Sequence, residues 1–503
     1  MALTQEIFAQ HTDKPAGGGW FLFSWPLVTA LFAYGYLLWH GPFMLKDSDT
    51  HWHVATGRWI LENGAVPRVD PFSHTMRGAP WTAHEWLSDV LMAWAHQWGG
   101  WTFVAALAAF AFAIAIALLT RALLQWLEPV YVLLFVGLGL RMTADHALAR
   151  PHLITMPLMM LWMVELVRAR DQGRRPRLWL LPIMTIWANA HGGFTLGILL
   201  AGVFAAEALL EAWGDRAKVV AVLRSWGLFL VLAVAAALIT PHGIQGVWFT
   251  WQVLMQYTFA HEIITEWQSP NFHVFQPFEL WLLAGLAMVL HQGLRLPPMR
   301  LVLLLGLLHM ALKHARYIEM VGLLAPLVIA APFGAQWRER RRSSQQFEGA
   351  DRLFAKLAAP AGPAAVIVAA AFMGALPAWM AATRPLDFGA NLAPVKAIEA
   401  AKAAGVRGPV LNSNEYGGYL AYIGIPTFID GRSDMYGDAF LAQYREALDL
   451  SSSNALEKLI DKYKVTWTLL SPGTPAITLL DHSPEWRRVY ADDSSVVHAR
   501  VQP

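Results

Sequence analysis

The sequence contains no cysteine among its 503 residues. Disulfides, zinc thiolates, haem thioethers and thiol nucleophiles are therefore excluded. The absence suits an oxidising outer compartment without requiring one. Charge is scarce as well: Asp, Glu, Lys and Arg make up 15% of the chain, against about a quarter in a soluble domain. The net charge of +2 is too small to point to nucleic acid, so partners must be sought in local charge. The first residues, MALTQEIFAQHTDKPAGGG, lack the shape of a signal peptide, and the apolar run after them is expected to stay as a spanning helix. No internal repeat is visible, and the only low-complexity tract is one basic stretch.

What fills the sequence instead is apolar. Hydrophobic residues reach 56%, in repeated runs near the length of a spanning helix. The pattern predicts a polytopic α-helical membrane protein with about eleven transmembrane helices. They fall near 20–41, 99–120, 129–144, 151–167, 177–190, 194–212, 224–240, 278–291, 299–312, 317–334 and 361–382. With the N-terminus inside, the inner loops collect Arg168, Arg170, Arg174, Arg175 and Arg177, then Arg216, Lys218 and Arg224, then Arg295 and Arg300. The last inner loop, QWRERRRSSQQFEGADRLFAK, is the most basic stretch, whereas 241–277 has no lysine or arginine. That alternation follows the positive-inside rule. It puts the residues after 384 outside, giving a transmembrane domain at 1–384 and an extracytoplasmic domain at 385–503. In the latter, VKAIEAAKAAGV, FLAQYREALDL and ALEKLIDKY read as helices. GPVLN, PTFID, VTWTLL, WRRVYAD and SVVHARV read as strands of a small α/β domain.

The polar chemistry gathers in the first outer loop, 42–98. DTHWHVATGRWILENG and HEWLSDVLMAWAHQWGG have helical apolar spacing and are expected to lie on the membrane surface as amphipathic helices. Asp47 and Asp49 stand at the mouth of the first span, where an acid is costly and usually has a task. Glu85 beside His84 is a second acidic candidate, and His53 lies on the same loop. Two outer turns break the scarcity of outer base. RMTADHALARPH offers Arg141, Asp145, His146, Arg150 and His152; LKHARYIEM offers Lys313, His314, Arg316 and Tyr317. Arginine forks phosphate oxygens well, although Arg150 and Lys313 can also simply reach up to lipid headgroups. Glu262 and Glu266, in HEIITEWQSP, face an acceptor, a metal or only solvent. Asn189 and His191, in WANAHGGF, read first as an interhelical hydrogen-bonding pair and second as cavity lining. Arg432, in FIDGRSDMYG, either binds acceptor or packs the outer domain on the loops. Trp52, Trp81 and Trp86 either stack on sugar rings or, the preferred reading, anchor the loop at the interface.

An acidic pair directly after the first span, a long loop with two helices, many spans and a small outer α/β domain resemble the GT-C superfamily of membrane glycosyltransferases. Oligosaccharyltransferases, protein O-mannosyltransferases and lipid-A aminoarabinose transferases belong to it. The wording DTHWHVATGRWI, GAVPRVDPFSHT, PWTAHEWLSDV, NAHGGF and GGYL…FIDGRSDMYG also resembles a bacterial GT-C-like family whose substrate is unassigned. The resemblance covers nearly the whole chain. It implies a glycosyltransferase of the bacterial inner membrane that takes a sugar from a polyprenyl-phosphate-type lipid and passes it, with inversion, to a glycan, lipid or protein acceptor in the periplasm. It implies an outer-loop aspartate as base, with Asp49 first, Asp47 next and Glu85 as the further candidate. Donor phosphate would meet Arg316, Lys313, His314 and Arg150, and acceptor or cavity contacts would come from His53, His84, Glu262, Glu266, Asn189, His191 and Arg432. By likeness to oligosaccharyltransferases, a divalent cation, Mg or Mn, would sit on Asp49, Asp145 and His146, although the usual second acid is replaced here. The rival readings are a transporter or flippase for a lipid-linked saccharide and a non-catalytic assembly protein. A transporter should show paired repeats or broken helices, and no repeat is seen.

Overall fold

Proline opens many of the helices, at the first or second position, where its missing N–H costs nothing and its fixed φ suits the turn. In the computed structural model, which describes residues 23–255, 265–341 and 357–501, this is true of α1 (Trp25–Trp39), α4 (Pro129–Ala144) and α5 (Pro151–Asp171). Between them come α2 (Asp49–Asn63) and α3 (Trp86–Leu123). There follow α6 (Leu180–Ala190), α7 (Phe194–Ala212), α8 (Arg216–Ala237) and α9 (Ile244–Met255). The bundle ends with α10 (Pro277–Gln292), α11 (Pro298–Lys313), α12 (Ile318–Arg341) and α13 (Pro363–Thr383). A helix therefore lies in each of the eleven expected stretches. Six of the helices among the described residues, α3, α5, α7, α8, the helix ending in α12, and α13, are long and apolar enough to cross a membrane. The chain is a multi-pass membrane protein. Residues 1–22 and most of the basic tract after Arg341 lie outside the described residues.

Helix α3 is the axis of the bundle and packs against α1, α2, α5 and α13. Its first turns belong to the first loop: Gly99 and Gly100 break the helix there, Gly100 at φ +62°, a conformation open to glycine and strained for other residues. Helix α5 carries polar clusters at both ends. Arg150 and His152 mark its start, while near its end Arg170 meets Glu207 at 3.3 Å and Asp171 pairs with Arg300. Twenty residues of helix separate Arg150 from Arg170, or about 30 Å, which matches the thickness of a bilayer's hydrocarbon core.

The C-terminal part holds a four-stranded sheet in the order β1-β2-β4-β3. Strands β1 (Val410–Asn412) and β2 (Trp467–Leu470) are parallel, and β3 (Trp486–Ala491) and β4 (Val496–Arg500) form an antiparallel pair added through β4. PTFID, expected as a strand of this sheet, is instead a docking segment. Thr427 makes a parallel bridge to Ser73 of the first loop. Helix α14 (Asn414–Tyr422) packs on α2.

The first loop departs from the expected surface-lying pair. Helix α2 is wedged inside the molecule, with His51 and His53 each 1% exposed. Trp52 and Trp81 are buried together with Ala421, and Trp86 donates from Nε1 to Asn189 Oδ1 at 2.8 Å. Trp52 and Trp81 are core residues rather than interface anchors, because the C-terminal part covers them, while Trp86 is half-buried and held by its bond to Asn189.

Candidate functional site

The site forms at the end of the bundle that bears the C-terminal sheet, and backbone contacts set it before any side chain does. Ala149 N donates to Met44 O at 2.9 Å and Thr50 Oγ1 to Ala149 O at 3.1 Å. These ties bring Arg150, the residue capping α5, against the acids after α1. Arg150 donates to Asp47 Oδ2 at 2.9 Å and to Asp49 Oδ2 at 2.5 Å, and its Nη1 lies 3.5 Å from Glu266 Oε2. Glu266 accepts from His146 Nε2 at 2.9 Å and from Arg316 Nη1 at 3.2 Å. Arg316 also stacks on the Trp267 ring at 4.4 Å. The segment 265–269 is held there by Ala315 N, which donates to Gln268 O at 2.9 Å, and by His314, whose Nδ1 meets the Trp267 carbonyl.

Four remote stretches thus share one chain of charge. Burial, with Asp47 beside it, pushes the Asp49 carboxyl up to about 7 against the pull of Arg150. Burial also opposes charge on Glu266, but Arg150, His146 and Arg316 outweigh it and hold that carboxyl far below the ordinary range. For His146 burial again works against charge, yet its bonds to Glu266 and Glu319 lift the ring to about 9.

A second cluster adjoins the first. Ser88 Oγ donates to Ala190 O at 2.7 Å, and the Trp86–Asn189 bond lies beside it, so the start of α3 is pinned to the end of α6. Asn189 is thereby a structural residue, also donating to Thr185 O and Ile239 O at 2.8 Å. The pinning places the Glu85 carboxylate among three imidazole Nε2 atoms, His191 at 3.4 Å, His84 at 3.7 Å and His53 at 3.8 Å. Among the described residues none donates a hydrogen bond to that carboxylate. His53 is oriented from its other nitrogen by Asp89 at 2.7 Å. Burial pushes Glu85 up to about 7 against the pull of Arg150 and Arg316. Burial, aided by nearby His84 and the arginines, keeps His191 neutral, its value lowered to about 3.

The C-terminal part closes over these groups through glycine. A methyl group on Gly431 would stand 1.7 Å from Asp49 Oδ1, and one on Gly418 would stand 2.2 Å from Ser48 O. Arg432, 1% exposed, is clamped between Asp430 and Asp70, donating to Asp70 Oδ1 at 2.7 Å. It packs the two parts together, the second of the two readings open to it, with its guanidinium engaged by Asp430 and Asp70 rather than presented to an acceptor. Its burial follows from the two carboxylates that neutralise it.

Several other expected residues lie apart. Asp145 is exposed at the end of α4 and pairs with Arg141 at 2.7 Å, one helical turn back. With Asp145 turned away and Asp49 engaged by Arg150, a divalent ion on Asp49, Asp145 and His146 does not fit. Lys313 is exposed at the end of α11, where its carbonyl accepts from Ser269 Oγ at 3.2 Å. Glu262 lies outside the described residues. Two site residues were missed, Glu319 and the orienting role of Asp89. Glu319 carried one signal, an acid in the first turn of a helix just before a long apolar run.

This architecture, helices below and a small sheet-containing part above, has solved counterparts. An oligosaccharyltransferase from Archaeoglobus fulgidus, tethered with an acceptor peptide, matches with a TM-score of 0.56 and 10% identity over 95% of this chain and 74% of that one. A structure of the archaeal oligosaccharyltransferase AglB from Archaeoglobus fulgidus with an inhibitory peptide and a dolichol-phosphate matches with a TM-score of 0.55 and 10% identity, over 89% of this chain and 69% of that one. The fold is GT-C-like. ArnT from Cupriavidus metallidurans bound to undecaprenyl phosphate matches at a TM-score of 0.48 and 15% identity, over 95% and 97% of the two chains. No protein-family model and no curated protein matches the sequence. In this GT-C-like frame the charge chain from Asp49 to Arg316 and the Glu85 cluster sit side by side where the bundle meets the C-terminal part.

Proposed function

We propose that the protein is an inverting glycosyltransferase that moves a sugar from a polyprenyl-phosphate-type lipid to an envelope acceptor at the outer face of the bacterial inner membrane. The observation that carries this reading is the adjacency of a part-exposed arginine and an uncommitted carboxylate at one end of the bundle. Arg316 is 25% exposed and gives one nitrogen to Glu266. Its remaining donors suit a lipid phosphate. The dolichol-phosphate held by AglB is a ligand of that chemistry.

In the reaction the acceptor oxygen attacks the anomeric carbon as the bond from that carbon to the phosphate oxygen breaks. The electron pair leaves with the lipid phosphate, beside Arg316, and the acceptor proton passes to a carboxylate. Asp49 suits this last role less well than the sequence suggests. One of its oxygens is engaged by Arg150, and Gly431 lies against the other. Glu85 has the free geometry, and a carboxyl near pH 7 is matched to a base working at neutrality. Asp49 and Asp47 then fix Arg150, which holds Glu266 and through it Arg316.

The test is mass spectrometry of lipids and glycans from cells lacking the gene, complemented with wild type or Glu85→Gln. A sugar restored by wild type, but not by a well-expressed Glu85→Gln, supports transfer and identifies the product. Full restoration by Glu85→Gln and Asp49→Asn together removes the chemistry and leaves a transport or assembly role.

A further inference from the structure

One cluster shares His146 with the charge chain, and its other two members are not used in that reaction. His146 lies just beyond the end of α4, His152 in the first turn of α5 and Glu319 in the first turn of α12. They meet because α4 and α12 cross at two glycines. A methyl on Gly139 would come within 2.7 Å of Gly322 O, and one on Gly322 within 3.2 Å of Gly139 Cα. That close approach sets Glu319, one turn from Gly322, beside the ring of His146.

We propose that His146, His152 and Glu319 form a metal site of the two-histidine, one-carboxylate type, selective for zinc over magnesium or manganese. Each residue offers a donor atom, and the three donors lie within 4.8 Å of one another. His146 Nδ1 and Glu319 Oε2 are 3.4 Å apart, about the separation of two donors on one tetrahedral zinc with bonds of 2.0–2.1 Å. The third donor needs only a small side-chain shift to join them.

A second observation points the same way. Histidines that bind metal almost always give their other ring N–H to a carboxylate or a backbone carbonyl. Both histidines here have that support. His146 Nε2 is 2.9 Å from Glu266 Oε2, and His152 Nε2 is 3.2 Å from the carbonyl oxygen of His146. Each ring therefore keeps Nδ1 for a ligand. Glu319 is 3% exposed, so its carboxylate is held inside the bundle next to both rings. Two imidazoles and one carboxylate suit zinc, whereas magnesium prefers oxygen donors and retained waters.

The site differs from the one implied by the GT-C resemblance, since it uses neither first-loop acid. It also stands independently of sugar transfer, because metal binding is read without any donor or acceptor.

The experiment uses the full chain in detergent, stripped with a chelator and dialysed. Zinc and magnesium are titrated by calorimetry, and metal content is measured after desalting. One zinc per chain is expected, with no competition from magnesium. Glu319→Gln and His152→Ala should each weaken zinc binding by about 100-fold or more, and Glu266→Gln by about 10–100-fold. Asp49→Asn should bind zinc like wild type. Cobalt should give the intense visible absorption of a tetrahedral site, lost in Glu319→Gln, an isosteric change that decides the matter if His152→Ala does not fold. The proposal is overturned if the stripped protein takes up no zinc, leaving His146 as an ion-pair partner only. It is equally overturned if zinc survives in a folded Glu319→Gln, or if Asp49→Asn abolishes it.

Discussion

Asp49, buried, and Glu85, half-buried, both have carboxyls raised to about 7, yet their neighbours separate their roles. A base must be ionised, so transfer by the wild type should climb as pH rises through about 7 and level off above it. Glu85→Gln should lose roughly 10²–10⁴ in rate, the range of general-base catalysis, with the protein still folded. Asp49→Asn should retain the ascending limb while weakening use of the lipid donor, because it loosens Arg150. A pH–rate profile of each variant in a reconstituted assay decides this. Persistence of the limb in Glu85→Gln, with its disappearance in Asp49→Asn, would return the base to Asp49. At Arg316 the expectation is a raised KM for lipid donor with Arg316→Gln, since its guanidinium is the group placed to meet the lipid phosphate.

Glycine contacts decide how the elements meet. Gly431 lies on the Asp49 carboxylate and Gly418 on Ser48, so Gly431→Ala should push the 427–434 segment off the first loop. Activity should fall while the helices persist, visible as unchanged circular dichroism with faster proteolysis of the C-terminal part. Unchanged activity in Gly431→Ala would mean that this contact is dispensable. Arg432→Met belongs to the same joint. It strands Asp70 and Asp430, both about 1% exposed, and removing one partner of a buried pair costs about 3–5 kcal/mol. A clearly lowered melting temperature is expected. None of these glycines announces its partner in the sequence, because a close backbone approach depends on which distant element lies opposite.

Across the whole molecule, the absence of cysteine becomes a tool. Single cysteines can be placed without removing any native one. Ser452→Cys, exposed in the C-terminal part, and Gln172→Cys, exposed after α5, should report opposite sides of the membrane. An impermeant maleimide added to intact cells is expected to label Ser452→Cys alone. Labelling of Gln172→Cys alone would invert the topology inferred from the positive-inside rule, and with it the face on which sugar is transferred.

The helical layout was readable because apolar periodicity and proline at helix starts are local properties, present in each stretch without reference to any other. The acids after α1 and the arginines of the two basic turns could be named for the same reason, as charge out of place near hydrocarbon. What each of them does was not readable. His146 and Glu319 are 173 residues apart, and Arg150 and Asp49 are 101 apart, so only the packed bundle shows that Arg150 engages Asp49 and leaves Glu85 uncommitted. Trp52 and Trp81 of the first loop were misplaced because their burial depends on a C-terminal part more than 300 residues away in the chain. Composition and local pattern alone determined a multi-pass helical protein with an α/β end; long-range packing alone decided which carboxylate is free, which arginine is a clamp and where three metal-ligating side chains converge.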